Sequence, residues 1–153
     1  MGNRHRLAEG TTSGLRIHVQ GVDPDQKGEL IAGAYRGPLP ISGLVAQRGR
    51  QCDVVGTYLS NVLAISSRFR QVLIESELTG WVTYELRIRR QSITEPLWLL
   101  GATGRADEAD FFVSDSANGI CASAAAAAEL RCARLSNLLL EPAGWAELKR
   151  KPP

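Results

Sequence analysis

The chain has few of the residues on which reaction centres are usually built. Its 153 residues include two histidines, His5 and His18, and three cysteines, Cys52, Cys121 and Cys132. No CxxC pair is present, and only Cys121 and Cys132 are near one another in sequence. A structural zinc site needs four clustered ligands, commonly as two close pairs, so the spacing reads as buried thiols and no metal is expected. An odd cysteine count also fits a reducing compartment. The chain lacks a Gly-x-Ser-x-Gly elbow, a P-loop and a dinucleotide fingerprint, and Gly101-Ala102-Thr103-Gly104 is a glycine pair without the third glycine. No cofactor is implied. Charge of one sign is also lacking: 18 basic against 16 acidic residues leave +2. That balance argues against a protein built chiefly to bind nucleic acid. No run approaches the roughly 20 apolar residues of a membrane span. Residues 1–14 are polar, without the apolar core of a secretory signal. The expectation is a cytoplasmic protein without a membrane partner.

What is present is a stretch of strong local structure, residues 59–90. Val62, Leu63 and Ile65 form a short apolar run that ends at Ser66-Ser67. A serine oxygen there accepts an otherwise orphan helix N–H, so it predicts a capped helix start. Phe69, Val72, Leu73 and Ser76 then share one face at helical spacing, with Arg68, Gln71 and Glu75 on the solvated side and Ile74 off the stripe. Gly80 is the expected helix stop, because glycine takes the left-handed conformation without steric cost. Beyond it Val82, Tyr84, Leu86 and Ile88 alternate with Thr83, Glu85, Arg87 and Arg89, the period of a strand with one buried face.

A fainter copy follows 57 residues later. Asp53 falls on Asp110, Asn61 on Asn118, Leu63 on Ile120, Ser66 on Ser123, Leu73 on Leu130 and Leu78 on Leu135. Thr79-Gly80 falls on Ser136-Asn137 and Val82 on Leu139, with no gap. Asparagine is the usual second choice for a left-handed residue. Residues 53–86 and 110–143 therefore read as two copies of one strand–helix–strand unit.

The rest of the chain fits around that unit. Residues 1–14 read as a flexible tail, 15–148 as a single domain and 149–153 as a basic tail. Leu15 to Gln20 alternates as a first strand, Gly21 to Gly28 is a turn, and Glu29 to Tyr35 reads as its hairpin partner. Pro38 and Pro40 break regular structure, leaving Ile41 to Gln51 as a loop that carries Arg48 and Arg50. Leu97 to Leu100 is a buried strand. Residues 101–109 form a polar loop with Arg105, Asp107 and Glu108, and Phe111 to Val113 is a short strand. Asn118-Gly119 is a turn, and Trp145 with Leu148 a short closing turn. The alanine run 124–128 gives a smooth helix face, suited to close packing inside the fold or against a second subunit, so a homodimer is one open partner. The fold class is α+β, with a mostly antiparallel or mixed sheet and two equivalent helices.

Two chemical readings compete with this organisation. One takes Asp53 and Asp110 as a carboxylate pair placed by the repeat, which with Arg105 would make a small enzyme with a cryptic carboxylate/Arg site. The plainer account has each aspartate closing a turn beside its strand. Arg87, Arg89 and Arg90, near Trp81 and Tyr84, suggest a nucleic-acid or regulatory binding module, yet Tyr84 points to the face opposite the arginines.

At Ile65–Arg90 the pattern resembles immunity proteins of bacterial polymorphic toxin systems, among relatives of the double-CxxCG-motif group. The likeness lies in the ISSRF helix start, the leucine-bearing helix, the LTGW turn and the alternating strand. Asp110-Phe111-Phe112-Val113, Ser123 and the helix to Leu135 repeat it. It spans about residues 53–142, and the CxxCG motifs are absent, so no zinc knuckle is carried over. The resemblance implies a binding protein, not an enzyme, that neutralises a cognate toxin by forming a complex with it. Shape and charge complementarity then supply the affinity. The expected contact residues are Arg48 and Arg50 in one loop, Arg105, Asp107 and Glu108 in another, and Arg68, Gln71 and Glu75 on the polar helix face.

Overall fold

Period-two hydrophobicity dominates the chain, and strands accordingly outnumber helices. The computed structural model describes residues 4–88, 96–106, 108–113 and 119–142. In chain order the elements are β1 (His5–Glu9), β2 (Arg16–Gln20), α1 (Lys27–Ile31), β3 (Ile41–Gln47), β4 (Val54–Thr57), β5 (Leu63–Ser66), α2 (Ser67–Glu75), β6 (Trp81–Ile88), β7 (Leu97–Ala102), β8 (Phe111–Val113), β9 (Ile120–Ala122), α3 (Ala124–Ala133) and β10 (Leu138–Pro142). The class is α+β. Strands β2-β3-β6-β7-β5-β4 close into a barrel, and β10-β1-β9-β8 form a second sheet. Ladders are antiparallel except β2–β4 and β3–β6. One hydrophobic cluster joins Leu7, Phe111 and Leu130 of the sheet side to Ile17, Leu73 and Leu99 of the barrel side.

Local sequence sets the central part of this plan. Ser66 caps α2, its side chain accepting from the Phe69 N–H, and Ser123 caps α3 by accepting from the Ala126 N–H. Phe69 and Leu73 on α2 are fully buried, each burial stabilising the fold by about 1.5–3 kcal/mol. The β4–β5 hairpin pairs Val54 with Ile65, Val55 with Ala64 and Gly56 with Leu63. In β8–β9 the pairs are Phe111 with Ala122, Phe112 with Cys121 and Val113 with Ile120, each 57 positions on. Left-handed residues keep the same spacing: Glu77 with Arg134, and Gly80 with Asn137. Neighbour relations agree as well, because β1 lies between β10 and β9 as β7 lies between β6 and β5.

The two hairpin–helix units also hold one another. Asp53 accepts from the Ser66 hydroxyl at 2.7 Å through Oδ1, and from the Ser136 N–H at 2.8 Å through Oδ2. Asp110 does the same in the opposite direction, accepting from the Ser123 hydroxyl at 3.0 Å and the Thr79 N–H at 2.9 Å. Each carboxylate thus steadies its own helix start and the exit turn of the other helix.

Four expectations from the sequence are corrected. Residues 5–9, read as part of a flexible tail, form β1, because Leu7 is buried and the strand is paired on both sides, with β10 and β9. The Glu29 to Tyr35 stretch is not a strand: Leu30 and Ile31 are consecutive buried residues of the short helix α1. That helix packs on β7 at Gly101, where a side chain would strike the Leu30 carbonyl. The partner of β2 is instead β3, most of what was read as a loop at Ile41 to Gln51. Ile41 and Gly43 face inward and Gly43 lies against Ile17, a period-two signal that its glycine and serine mask in sequence. Finally, α2 ends at Glu75 rather than running to Gly80. Glu77 takes the first left-handed position and Gly80, at φ +83°, the turn into β6.

Arg89, Arg90, Asp107, Asn118, Trp145, Leu148 and the basic tail 149–153 lie outside the described residues.

Candidate functional site

Helix α2 presents Arg68, Gln71 and Glu75 to solvent, as its periodicity predicts, beside Ile74, which is 43% exposed. Two of the three polar side chains are tied to each other, Gln71 Nε2 donating to Glu75 Oε1 at 3.1 Å. Arg68 reaches back, with Nη1 3.3 Å from Asp53 Oδ2 and Nη2 donating to the Ala133 carbonyl at 2.5 Å. Its guanidinium therefore bridges the start of α2 and the end of α3, and is half spent on the fold.

The arginine loops stand at separate places around this helix. Arg48 and Arg50 are exposed between β3 and β4. The Arg50 backbone is fixed by its N–H donating to the Ser13 carbonyl at 2.7 Å. Arg105 and Glu108 are exposed in a turn closed by the Glu108 N–H on the Arg105 carbonyl at 3.1 Å. That turn leads into Asp110 and so sits at the exit of α2. The alanine run divides: Ala126 and Ala127 are buried, whereas Ala124, Ala125 and Ala128 are exposed. Of the thiols, Cys52 and Cys121 are buried as expected but Cys132 is exposed, because it falls on the outer face of α3.

The concave surface lies elsewhere, along β2. A hollow of about 460 Å³ is bounded by His18, Gln20, Asp23, Tyr58 and Leu59. Tyr58 is 54% exposed at its rim. The Arg16 guanidinium lies 5.6 Å from the Tyr58 ring centroid, and the His18 ring 6.3 Å from it. Tyrosine and arginine are among the side chains enriched at the anchoring points of protein interfaces, tyrosine because it buries a large rigid ring and arginine because its planar guanidinium both stacks and donates several hydrogen bonds. This group was not legible in sequence: Arg16 and His18 face outward on β2, and Tyr58 reaches them only through the parallel β2–β4 pairing.

Beside it, a smaller hollow of about 210 Å³ is lined by Glu9, Arg16, Gln47 and Asn137. The Glu9 carboxylate lies over Gly56, where any side chain would displace it. Burial pushes the Glu9 carboxyl above the ordinary value of 4.5, and the Arg16 guanidinium opposes part of that rise. Asp53 and Asp110 line neither of these two hollows; their oxygens are taken up by the serine, threonine and backbone donors of the two units.

No protein-family model and no curated protein matches the chain.

Proposed function

We propose that this chain is an immunity-type binding protein that neutralises a cognate bacterial toxin by forming a complex with it. One observation carries the reading. The residues on which the resemblance rests (the aspartate, the serine at the helix start, the helix leucine and the Thr-Gly exit) are one connected set of contacts. Asp53 bonds Ser66, Ser66 caps the helix that buries Leu73, and Thr79 bonds Asp110. The likeness therefore follows a folded unit instead of scattered identities.

We further read the two units as copies of one ancestral unit with equivalent helices α2 and α3. The constant spacing of 57 in ladder register supports this. In that reading β1 stands in for the strand that the second copy lacks after β10.

The toxin-contacting surface combines the polar face of α2 with the loops of Arg48, Arg50, Arg105 and Glu108, and with the Tyr58 rim. The test is co-expression with the product of the adjacent gene, following growth and co-purification. Rescue with a stable complex supports the reading. Growth arrest without a complex overturns it.

A further inference from the structure

The hollow beside Glu9 carries two opposite charges that do not close on each other. Its volume is about 210 Å³, and Glu9 and Arg16 are the charged residues among those that bound it. Strand pairing brings them together. The parallel β2–β4 ladder sets Gly56 level with Arg16, and the Glu9 carboxylate of β1 lies over that glycine. A side chain at position 56 would take the carboxylate's place, so the glycine admits it to the barrel's outer face. Three other polar side chains of the wall are spent on the fold. Asn137 Oδ1 accepts from the Thr12 N–H at 3.0 Å, and its Nδ2 donates to the Val54 carbonyl at 2.9 Å. Ser13 donates to the Arg50 carbonyl, and Gln47 Nε2 to the Gly14 carbonyl at 2.9 Å. The charges differ. Among the described residues neither the Glu9 carboxylate nor the Arg16 guanidinium has a hydrogen-bond or ion-pair partner, and the latter lies against the Tyr58 ring.

From this we infer that the hollow binds a free α-amino acid, the Arg16 guanidinium taking its carboxylate and Glu9 its ammonium. Two unspent charges of opposite sign on one small cavity are complementary to a guest that carries both signs. Each end of such a guest meets a charge-assisted hydrogen bond. A guest of one sign satisfies one wall charge and is repelled by the other. Volume sets the size. Sites for drug-sized ligands run to about 300–1,000 Å³, so a nucleotide is too large here and a single amino acid suits. Gln47 Oε1, the end of that amide left over, favours a guest side chain with a donor, as in serine, asparagine or glutamine. Burial raises the Glu9 carboxyl, and an ammonium beside it offsets that cost. The inference concerns the chain alone and is independent of whether it binds a toxin.

The test is a thermal-shift screen of the full chain at pH 8 against each of the twenty common amino acids. They are added singly at about 10 mM, roughly tenfold above the dissociation constant expected. A polar amino acid is expected to raise the melting temperature, and titration calorimetry then gives its affinity. Glu9→Gln and Arg16→Gln, checked for an unchanged far-UV spectrum, are each expected to weaken that affinity at least tenfold. Gly56→Ala, which displaces the carboxylate, is expected to follow Glu9→Gln, whereas Glu85→Gln on β6 leaves binding unchanged. Acetylating the guest's amine, or converting its carboxylate to the amide, is expected to cost at least tenfold as well. The inference is overturned if no amino acid shifts the melting temperature, if binding is indifferent to Glu9→Gln and Arg16→Gln, or if a singly charged analogue binds as tightly as its parent.

Discussion

The backbone N–H of Ser136 donates a 2.8 Å hydrogen bond to Oδ2 of Asp53, 83 residues earlier in the chain. The Ser136 hydroxyl joins the same oxygen at 3.1 Å. At 14% side-chain exposure this carboxylate is largely sheltered, so its hydrogen bonds are worth more than the partly exposed ion pair with Arg68. Asp53→Ala strands the Ser136 and Ser66 donors. The expected cost is about 2–4 kcal/mol in urea unfolding, with Asp110→Ala somewhat less damaging because no arginine pairs with it among the described residues. Equal and negligible effects of the two would show that the units do not hold one another.

Removal of a helix cap is a smaller, cleaner perturbation. Ser123→Ala is expected to cost about 1 kcal/mol and Ser123→Gly only a few tenths. Ser66→Ala should cost more than Ser123→Ala, since Ser66 is nearly inaccessible in a fully packed hairpin. Chemical denaturation of the three variants checks the order.

Glu9 is expected to give the fold a pH dependence. Its folded-state value is raised, chiefly by burial, so the folded state holds the proton more tightly than the unfolded chain. Its contribution is fully present below the ordinary value of 4.5 and is lost as pH rises through the raised value. Glu9→Gln is expected to be more stable than the parent at pH 7 and to match it near pH 4. A difference that grows toward acid pH would refute the assignment. Gly56→Ala, which pushes the carboxylate out to water, should flatten the same curve.

Tyr84 carries a second, alkaline dependence. Its hydroxyl accepts from the Tyr35 N–H at 3.2 Å, and the two rings meet edge to face at 5.6 Å. Burial raises the phenol above 10.0 and the Tyr35 N–H opposes part of the rise. Stability should therefore fall as pH passes the ordinary tyrosine value. Tyr84→Phe should remove that loss while costing about 1 kcal/mol at neutral pH, where the Tyr35 N–H loses its acceptor. Unfolding at pH 7 and pH 11 reads both effects.

For the proposed complex with a toxin, Tyr58→Ala is expected to cost at least about 2 kcal/mol of binding, as interface anchors do, with the melting temperature unchanged. Charge reversal of Arg48, Arg50 and Arg105 should act mainly on the association rate and its salt dependence. Titration calorimetry and stopped-flow mixing separate the two. Unaltered binding in all four variants would place the contact surface elsewhere.

Legibility followed the range of the forces involved. Helix α2, its serine cap and the alternation of β6 are written in neighbouring residues, and each formed where the periodicity put it, save for the early helix end at Glu75. Helix α1 escaped notice because its five residues are too few to establish a helical stripe. Strand β3 escaped because Ser42 and Gly43 interrupt its alternation, and a glycine there is explained only by Ile17 across the ladder. In β1 a lone buried Leu7 among charged neighbours reads as a tail until β9 and β10 are placed beside it. The Arg16–His18–Tyr58 group was invisible for the same reason, since it exists only once β2 and β4 lie side by side.

The position of β1 has a consequence in time. It is laid between β10 and β9, with Arg6 reaching Glu141 across 135 residues. During synthesis it leaves the ribosome early and then waits. The barrel strands can pair among themselves as they emerge, whereas the second sheet must stay incomplete until β9 and β10 are made. Such long-range closure is slow and leaves partly formed edges open meanwhile. The second sheet is therefore the last part of the molecule to become itself, and the interval before it closes is when the chain most needs shelter from its own kind.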